Sequence, residues 1–143
     1  MKKVIVDSNI IFSGLLYSGK PSEVLSLLRG RGFRLLVPAD ELDEIRTVFK
    51  RKVSYKGYLL EGFLGMTKAK IIPTKKYRGL IPTAAGLIED KKDAPILACA
   101  LAVKPDYFVT GDKDFLTRDI REKVNTLSPS EFLRRCREER SKQ

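Results

Sequence analysis

The chain alternates between short apolar runs that read as strands and longer stretches with helical spacing. "KKVIVD" (2–7) and "FRLLVP" (33–38) are continuous β-branched or Leu-rich runs of the kind a parallel sheet buries on both faces. "AKIIP" (69–73), "DYFVT" (106–110) and "KVNTL" (123–127) are shorter runs of the same type. Between them, Pro21 opens "PSEVLSLLRG", with Val24, Leu27 and Leu28 on one helical face and Gly30 as a stop. "PADELDEIRTVFKRK" places Leu42, Ile45 and Phe49 on one stripe, and "YKGYLLEGFLG" does the same with Tyr55, Leu59 and Phe63. "DAPILACALAVK" is apolar nearly all round, which predicts a helix packed deep against the sheet. In "SPSEFLRRC", Ser128 and Glu131 form a capping box, Pro129 takes the first helical position, and Phe132, Leu133 and Cys136 point inward. "RGLIPTAAGLIED" (78–90) reads as a loop, and the basic tail from 137 to 143 as an end that frays.

Strand and helix in alternation predict an α/β domain with a mainly parallel sheet and helices on both faces. With no internal repeat, linker or low-complexity tract, residues 1–143 form one domain. In such folds, sites collect beyond the carboxyl ends of strands. Asp7 stands at the end of the first strand, and Asp112 follows "YFVTG" at the end of a later one.

Composition narrows the chemistry. The 143 residues hold no histidine, which removes imidazole-based ester and phosphodiester cleavage, any Ser-His-Asp arrangement included. Cys99 and Cys136 lie far apart, form no metal-ligand spacing, and read as small buried hydrophobes. No apolar run is long enough to cross a bilayer, and "MKKVIVD" meets an acid too early for a signal peptide, so the cytoplasm is the expected compartment. The 28 Lys and Arg against 18 Asp and Glu give a net charge of +10, a field that favours polyanions and above all nucleic acid.

Four carboxylates stand out by position: Asp7, Glu44, Asp93 and Asp112. Three of them have plain structural readings when taken alone. Asp93 suits an N-cap, Glu44 a solvated helix start, and Asp112 with Asp114 a turn. Asp7 is different, because a charge at the end of a buried strand is costly unless paired or bound to an ion. If all four converge, two carboxylates about 4 Å apart repel by roughly 4 kcal/mol at an effective dielectric near 20. A divalent cation offsets that repulsion, and all-oxygen ligation suits Mg²⁺ or Mn²⁺. Metal-assisted phosphodiester hydrolysis is the matching reaction class.

"VDSNI" at Asp7, Glu44 in "ELDEIRTVF", Asp93 in "DKKDAPILACAL", and Asp112 with Asp114 in "YFVTGDKDFL" resemble the PIN domain in order and spacing. The similarity is to the small prokaryotic VapC-like members, many of them toxins of toxin–antitoxin pairs, and it runs from about residue 3 to about residue 135. The resemblance implies a three-layer α/β/α sandwich and an Mg²⁺- or Mn²⁺-dependent ribonuclease. The family's acidic quartet falls on Asp7, Glu44, Asp93 and Asp112. Asp7, Asp93 and Asp112 would hold the metal, Glu44 would complete the site directly or through water, and Asp114 would be an accessory ligand or a water-positioning acid, while Asn9 and Thr110 would support the first and last acids. It also implies an antitoxin that covers the site, and a homodimer.

For the RNA path the candidates are Lys50, Arg51, Lys52 and Lys56, then Lys68, Lys70, Lys75, Lys76 and Arg78, in a stretch free of acids. Tyr55 and Tyr77 lie among them, placed to stack on unpaired bases. The competing readings are a non-catalytic PIN-like module that binds RNA or protein, and a phosphotransfer or phosphatase domain. The second is disfavoured because Asn9 stands where a dehalogenase-like enzyme wants an acid. A Rossmann-type site is weaker still, since no GxGxxG follows the first strand.

Overall fold

The first apolar run forms β1 (Lys2–Val6), whose alternate residues enter two different cores: Val4 and Val6 face one, Ile5 the other. The computed structural model describes residues 1–142. After β1 come α1 (Ser8–Leu16) and α2 (Lys20–Leu28), then β2 (Phe33–Pro38), α3 (Ala39–Lys52) and α4 (Gly57–Thr67). β3 (Lys70–Ile72) leads into α5 (Ile81–Ala85) and α6 (Ala94–Val103). β4 (Tyr107–Val109), α7 (Arg118–Arg121), β5 (Thr126–Leu127) and α8 (Pro129–Ser141) complete the chain.

The five strands pair in the order β3-β2-β1-β4-β5, and every pairing is parallel. β1 is therefore central, and the chain reverses direction of travel across the sheet between β3 and β4, on either side of it. This is the switch geometry that places sites at the carboxyl ends of the middle strands. The register Val6↔Val109 puts the end of β1 beside the end of β4.

The layers on the two faces follow from the alternation. Val4, Val6, Leu35, Val37 and Val109 share one core with apolar residues of α1, α2, α3, α4 and α8. Ile5, Leu36, Ile72 and Phe108 share the other with α6 and the short elements around it. The three-layer α/β/α arrangement read from the sequence is the one observed. α6 is buried almost all round, with Leu97, Ala98, Cys99 and Ala100 fully enclosed. Gly14 lets α1 approach α2 closely, since a Cβ there would stand 2.6 Å from the Leu25 side chain and 2.8 Å from the Pro21 carbonyl oxygen.

Several local expectations change. The stretch 78–90 is helical in pieces, a turn at Arg78–Leu80 followed by α5, because Leu80, Ala84 and Ile88 bury against α6. Tyr55 is 74 % exposed, since the helix begins only at Gly57 and its buried stripe is Leu60, Phe63 and Thr67. Tyr77 is 1 % exposed and cannot stack on a base; its hydroxyl oxygen accepts the Asp40 backbone N–H at 3.3 Å. α8 runs past 137 into the basic tail as far as Ser141, and Glu139 accepts a 2.6 Å hydrogen bond from the Tyr107 hydroxyl. Residue 143 of that stretch lies outside the described residues. Both cysteines are buried and free.

Candidate active site

Asp7 follows the last residue of β1, and its backbone N–H still donates to the Val109 carbonyl, so the sheet holds its main chain. Its φ and ψ are extended, as an N-cap requires, and it opens α1. The side chain is 8 % exposed. One carboxylate oxygen, Oδ2, accepts from the Thr110 hydroxyl at 2.8 Å; Oδ1 accepts from the Asn9 backbone N–H at 3.1 Å and lies 3.4 Å from the Ser8 hydroxyl. The buried charge is thus hydrogen-bonded on both oxygens and sits at the positive end of a helix. Asn9 supports it through the main chain, with its side chain exposed.

Thr110 is fully buried one residue past β4. Its backbone N–H donates to Leu127 and its hydroxyl oxygen accepts the Asp112 N–H at 3.1 Å, so one side chain ties Asp7 to the loop that carries Asp112. Asp112 in turn caps the short turn Lys113–Phe115 by accepting from the Asp114 N–H at 2.9 Å. Asp114 itself is exposed.

Asp93 occupies the N-cap position of α6 but makes no capping hydrogen bond, so capping does not account for it. Its carboxyl is pushed up to about 6, first by burial and then by the negative charges of Asp112, Asp90, Asp7 and Asp114. Asp7, Asp93 and Asp112 therefore share one electrostatic neighbourhood at the carboxyl edge of the sheet. Among the described residues, no three of the acids stand close enough to enclose an ion between them.

α3 brings a surprise in its phase. Glu44 is exposed and lines a small cleft of about 120 Å³ with Ser8, Asn9, Phe12 and Lys52. The acid that α3 buries is Glu41, 6 % exposed, which the sequence reading did not single out. Its carboxyl is raised to about 7 by burial first, then by Glu44, Asp7 and Asp93, with the Ser8 hydroxyl acting in the opposite direction. The signal was present: Glu41 precedes Ile45 by four residues and so shares the inward face of the stripe.

The basic residues spread over several surfaces. Lys52 shares the cleft with Glu44, its ammonium 5.9 Å from the Phe12 ring centre. Lys50 instead lines a wider groove of about 520 Å³ between α3 and α4, beside Arg46 and Glu61. Arg51, Lys75 and Arg78 are exposed, and Lys76 lines a separate trough with Lys3 and Arg34.

The profile of the PIN domain family matches residues 3–114. No protein of curated function matches the chain. In solved structures, a chain of VapBC2 from Rickettsia felis bound to a promoter DNA fragment superposes with a TM-score of 0.66 at 19% identity, over 88% of this chain and 98% of that one. A chain of a toxin–antitoxin complex from Klebsiella pneumoniae gives 0.66 at 15% identity, over 88% and 97%. One of FitAcB from Neisseria gonorrhoeae gives 0.62 at 17%, again over 88% and 97%. At these identities the likeness is one of fold.

Proposed function

The chain belongs to the PIN domain family, and on that footing we propose that it is an Mg²⁺- or Mn²⁺-dependent endoribonuclease, the toxin of a toxin–antitoxin pair. The observation that carries this reading is the buried, doubly hydrogen-bonded Asp7 sharing its neighbourhood with Asp93 and Asp112. The donors are all oxygens, and burial first, then their mutual repulsion, raises the proton affinity of Asp93, which is the chemistry of a hard-cation site. Asp7, Asp93 and Asp112 would hold the cation, with Asp114 at its rim, and the bound ion supplies positive charge that polarises a phosphoryl oxygen and makes water more acidic.

The chain's own groups divide the remaining work. Thr110 fixes the orientation of Asp7 and the placement of the Asp112 loop. Glu41, poised at about 7, can take a proton at its carboxylate near neutral pH, and Glu44 extends the acidic wall toward solvent. Lys52 neutralises a phosphate of the strand entering past Glu44. A small antitoxin partner is supported by the toxin–antitoxin complexes among the structures of the same fold.

The competing reading, a non-catalytic module that binds RNA or protein, is favoured by one observation, the absence of a compact acidic trio among the described residues. Cleavage of single-stranded RNA in Mn²⁺, wild type against Asp93→Asn, separates the two. The nuclease reading expects activity in the wild type alone. No cleavage, and no rise in melting temperature at millimolar Mn²⁺, would favour the binding module.

A further inference from the structure

The β2–β3 side of the sheet carries a feature that the carboxylate site does not use. Lys3 in β1 and Arg34 in β2 are paired directly in register, on the face that also carries Ile5 and Leu36. Lys70 in β3 pairs with Leu36 and shares that face with Ile72. Three cations thus share one face of three adjacent strands, Lys70 staggered two residues beyond the Lys3–Arg34 pair, and Lys76 reaches the same trough from the turn that follows β3. Together they line a trough of about 390 Å³ whose floor is Leu36, Ile72 and Val103.

No acid lines this trough, and among the described residues none of the four cations belongs to an ion pair. The nearest acid in sequence to its wall, Asp106, accepts the backbone N–H of Lys3 at 2.7 Å. Like charges placed directly opposite on neighbouring strands destabilise a sheet. A site that concentrates them over an apolar floor matches a phosphodiester strand, phosphates on the cations and a sugar or base on the floor.

We propose that this trough binds phosphates of a single-stranded RNA at a second position, remote from the cleavage centre. Four residue steps separate Lys3 from Asp7, a span of about 13 Å at roughly 3.3 Å per residue, and the trough runs from Lys3 toward the β3 edge, away from the β1–β4 side where Asp7 and Asp112 stand. The choice of RNA rests on the nuclease reading, while the phosphate chemistry rests on the trough alone.

The test is fluorescence anisotropy with a labelled single-stranded RNA 12-mer in EDTA, which measures binding without cleavage. Lys3→Ala/Arg34→Ala and Lys70→Ala/Lys76→Ala are compared with Lys123→Ala/Arg134→Ala, which removes the same charge from another surface. Each trough variant is expected to bind about tenfold more weakly, with a salt slope shallower by about 1.4, at about 0.7 per lost phosphate contact. Equal losses in all three double variants would overturn the proposal by reducing it to net charge. So would unchanged RNA affinity accompanied by lost binding of inorganic tripolyphosphate, which would make the trough a site for free polyphosphate, or unchanged affinity for both, which would point to an acidic protein. Cleavage in Mn²⁺ is read separately: trough binding that survives in Asp7→Asn alongside an inactive wild type would sink the nuclease reading and leave this one standing.

Discussion

The Thr110 hydroxyl donates to Asp7 and accepts from the Asp112 backbone, so a neutral side chain couples two acids that are far apart in sequence. Thr110→Val keeps the shape and removes both bonds. The buried Asp7 carboxylate would then lack its shorter hydrogen bond, at a cost of about 1–3 kcal/mol. Cleavage should fall at least about tenfold, because a small displacement of reacting groups is heavily penalised. Thermal melts and Mn²⁺-dependent cleavage on the same preparation check both.

Glu41 makes stability depend on pH in a defined direction. Its folded carboxyl titrates near 7, above the ordinary value of 4.5, so the folded chain holds a proton that the unfolded chain has already released. Stability is therefore highest below about pH 4.5 as far as this group is concerned, and falls as pH rises to about 7, by up to about 3 kcal/mol. Asp93 acts in the same direction with its carboxyl near 6. Urea denaturation in EDTA across this range should show the decline, and Glu41→Gln should flatten its upper part. Added Mg²⁺ should stabilise the protein more at the alkaline end, where the acids are ionised.

The two acids of α3 should respond differently to removal. Glu44 is exposed, so Glu44→Ala is expected to leave the unfolding free energy within about 0.5 kcal/mol of wild type while lowering Mn²⁺-dependent cleavage. Glu41→Ala should change both cleavage and stability. Equal effects of the two substitutions would contradict the inward placement of Glu41.

The strands were legible because parallel-sheet runs are apolar without interruption, and Asp7 was legible because it ended one. The places of Asp93 at the start of α6 and of Asp112 beyond β4 were legible from the element pattern in the same way. Glu41 was missed because a stripe drawn through Leu42, Ile45 and Phe49 draws attention away from the acid on its flank. Tyr77 misled for the opposite reason: it lies in a basic stretch with no helical period, and only the folding of that segment over α6 shows that it is core. The spread of the lysines was equally invisible, since charge composition carries no direction.

The bond between Tyr107 and Glu139 shows the end of α8 to be structural. Terminating the chain after Arg137 removes the acceptor of the Tyr107 hydroxyl and the last turn of α8. The loss expected is about 1–2 kcal/mol, read from chemical denaturation. Glu139→Gln, which keeps an acceptor, should lose less.

Thr126 offers a substitution in the favourable direction. Its hydroxyl is buried without a partner among the described residues. Thr126→Val replaces that group with a methyl of the same shape on a strand, and a gain of up to about 1 kcal/mol is expected by the same denaturation measurement.

The borders of the sheet restrict how other polypeptides can engage this molecule. β3 and β5, the outermost strands, are only three and two residues long. An extended peptide seeking to add itself as a sixth strand would find too few open amides to gain a foothold, which also guards the fold against self-propagating edge growth. Protein recognition must therefore be written on the helical outer layers, where side chains and not main-chain amides choose the partner.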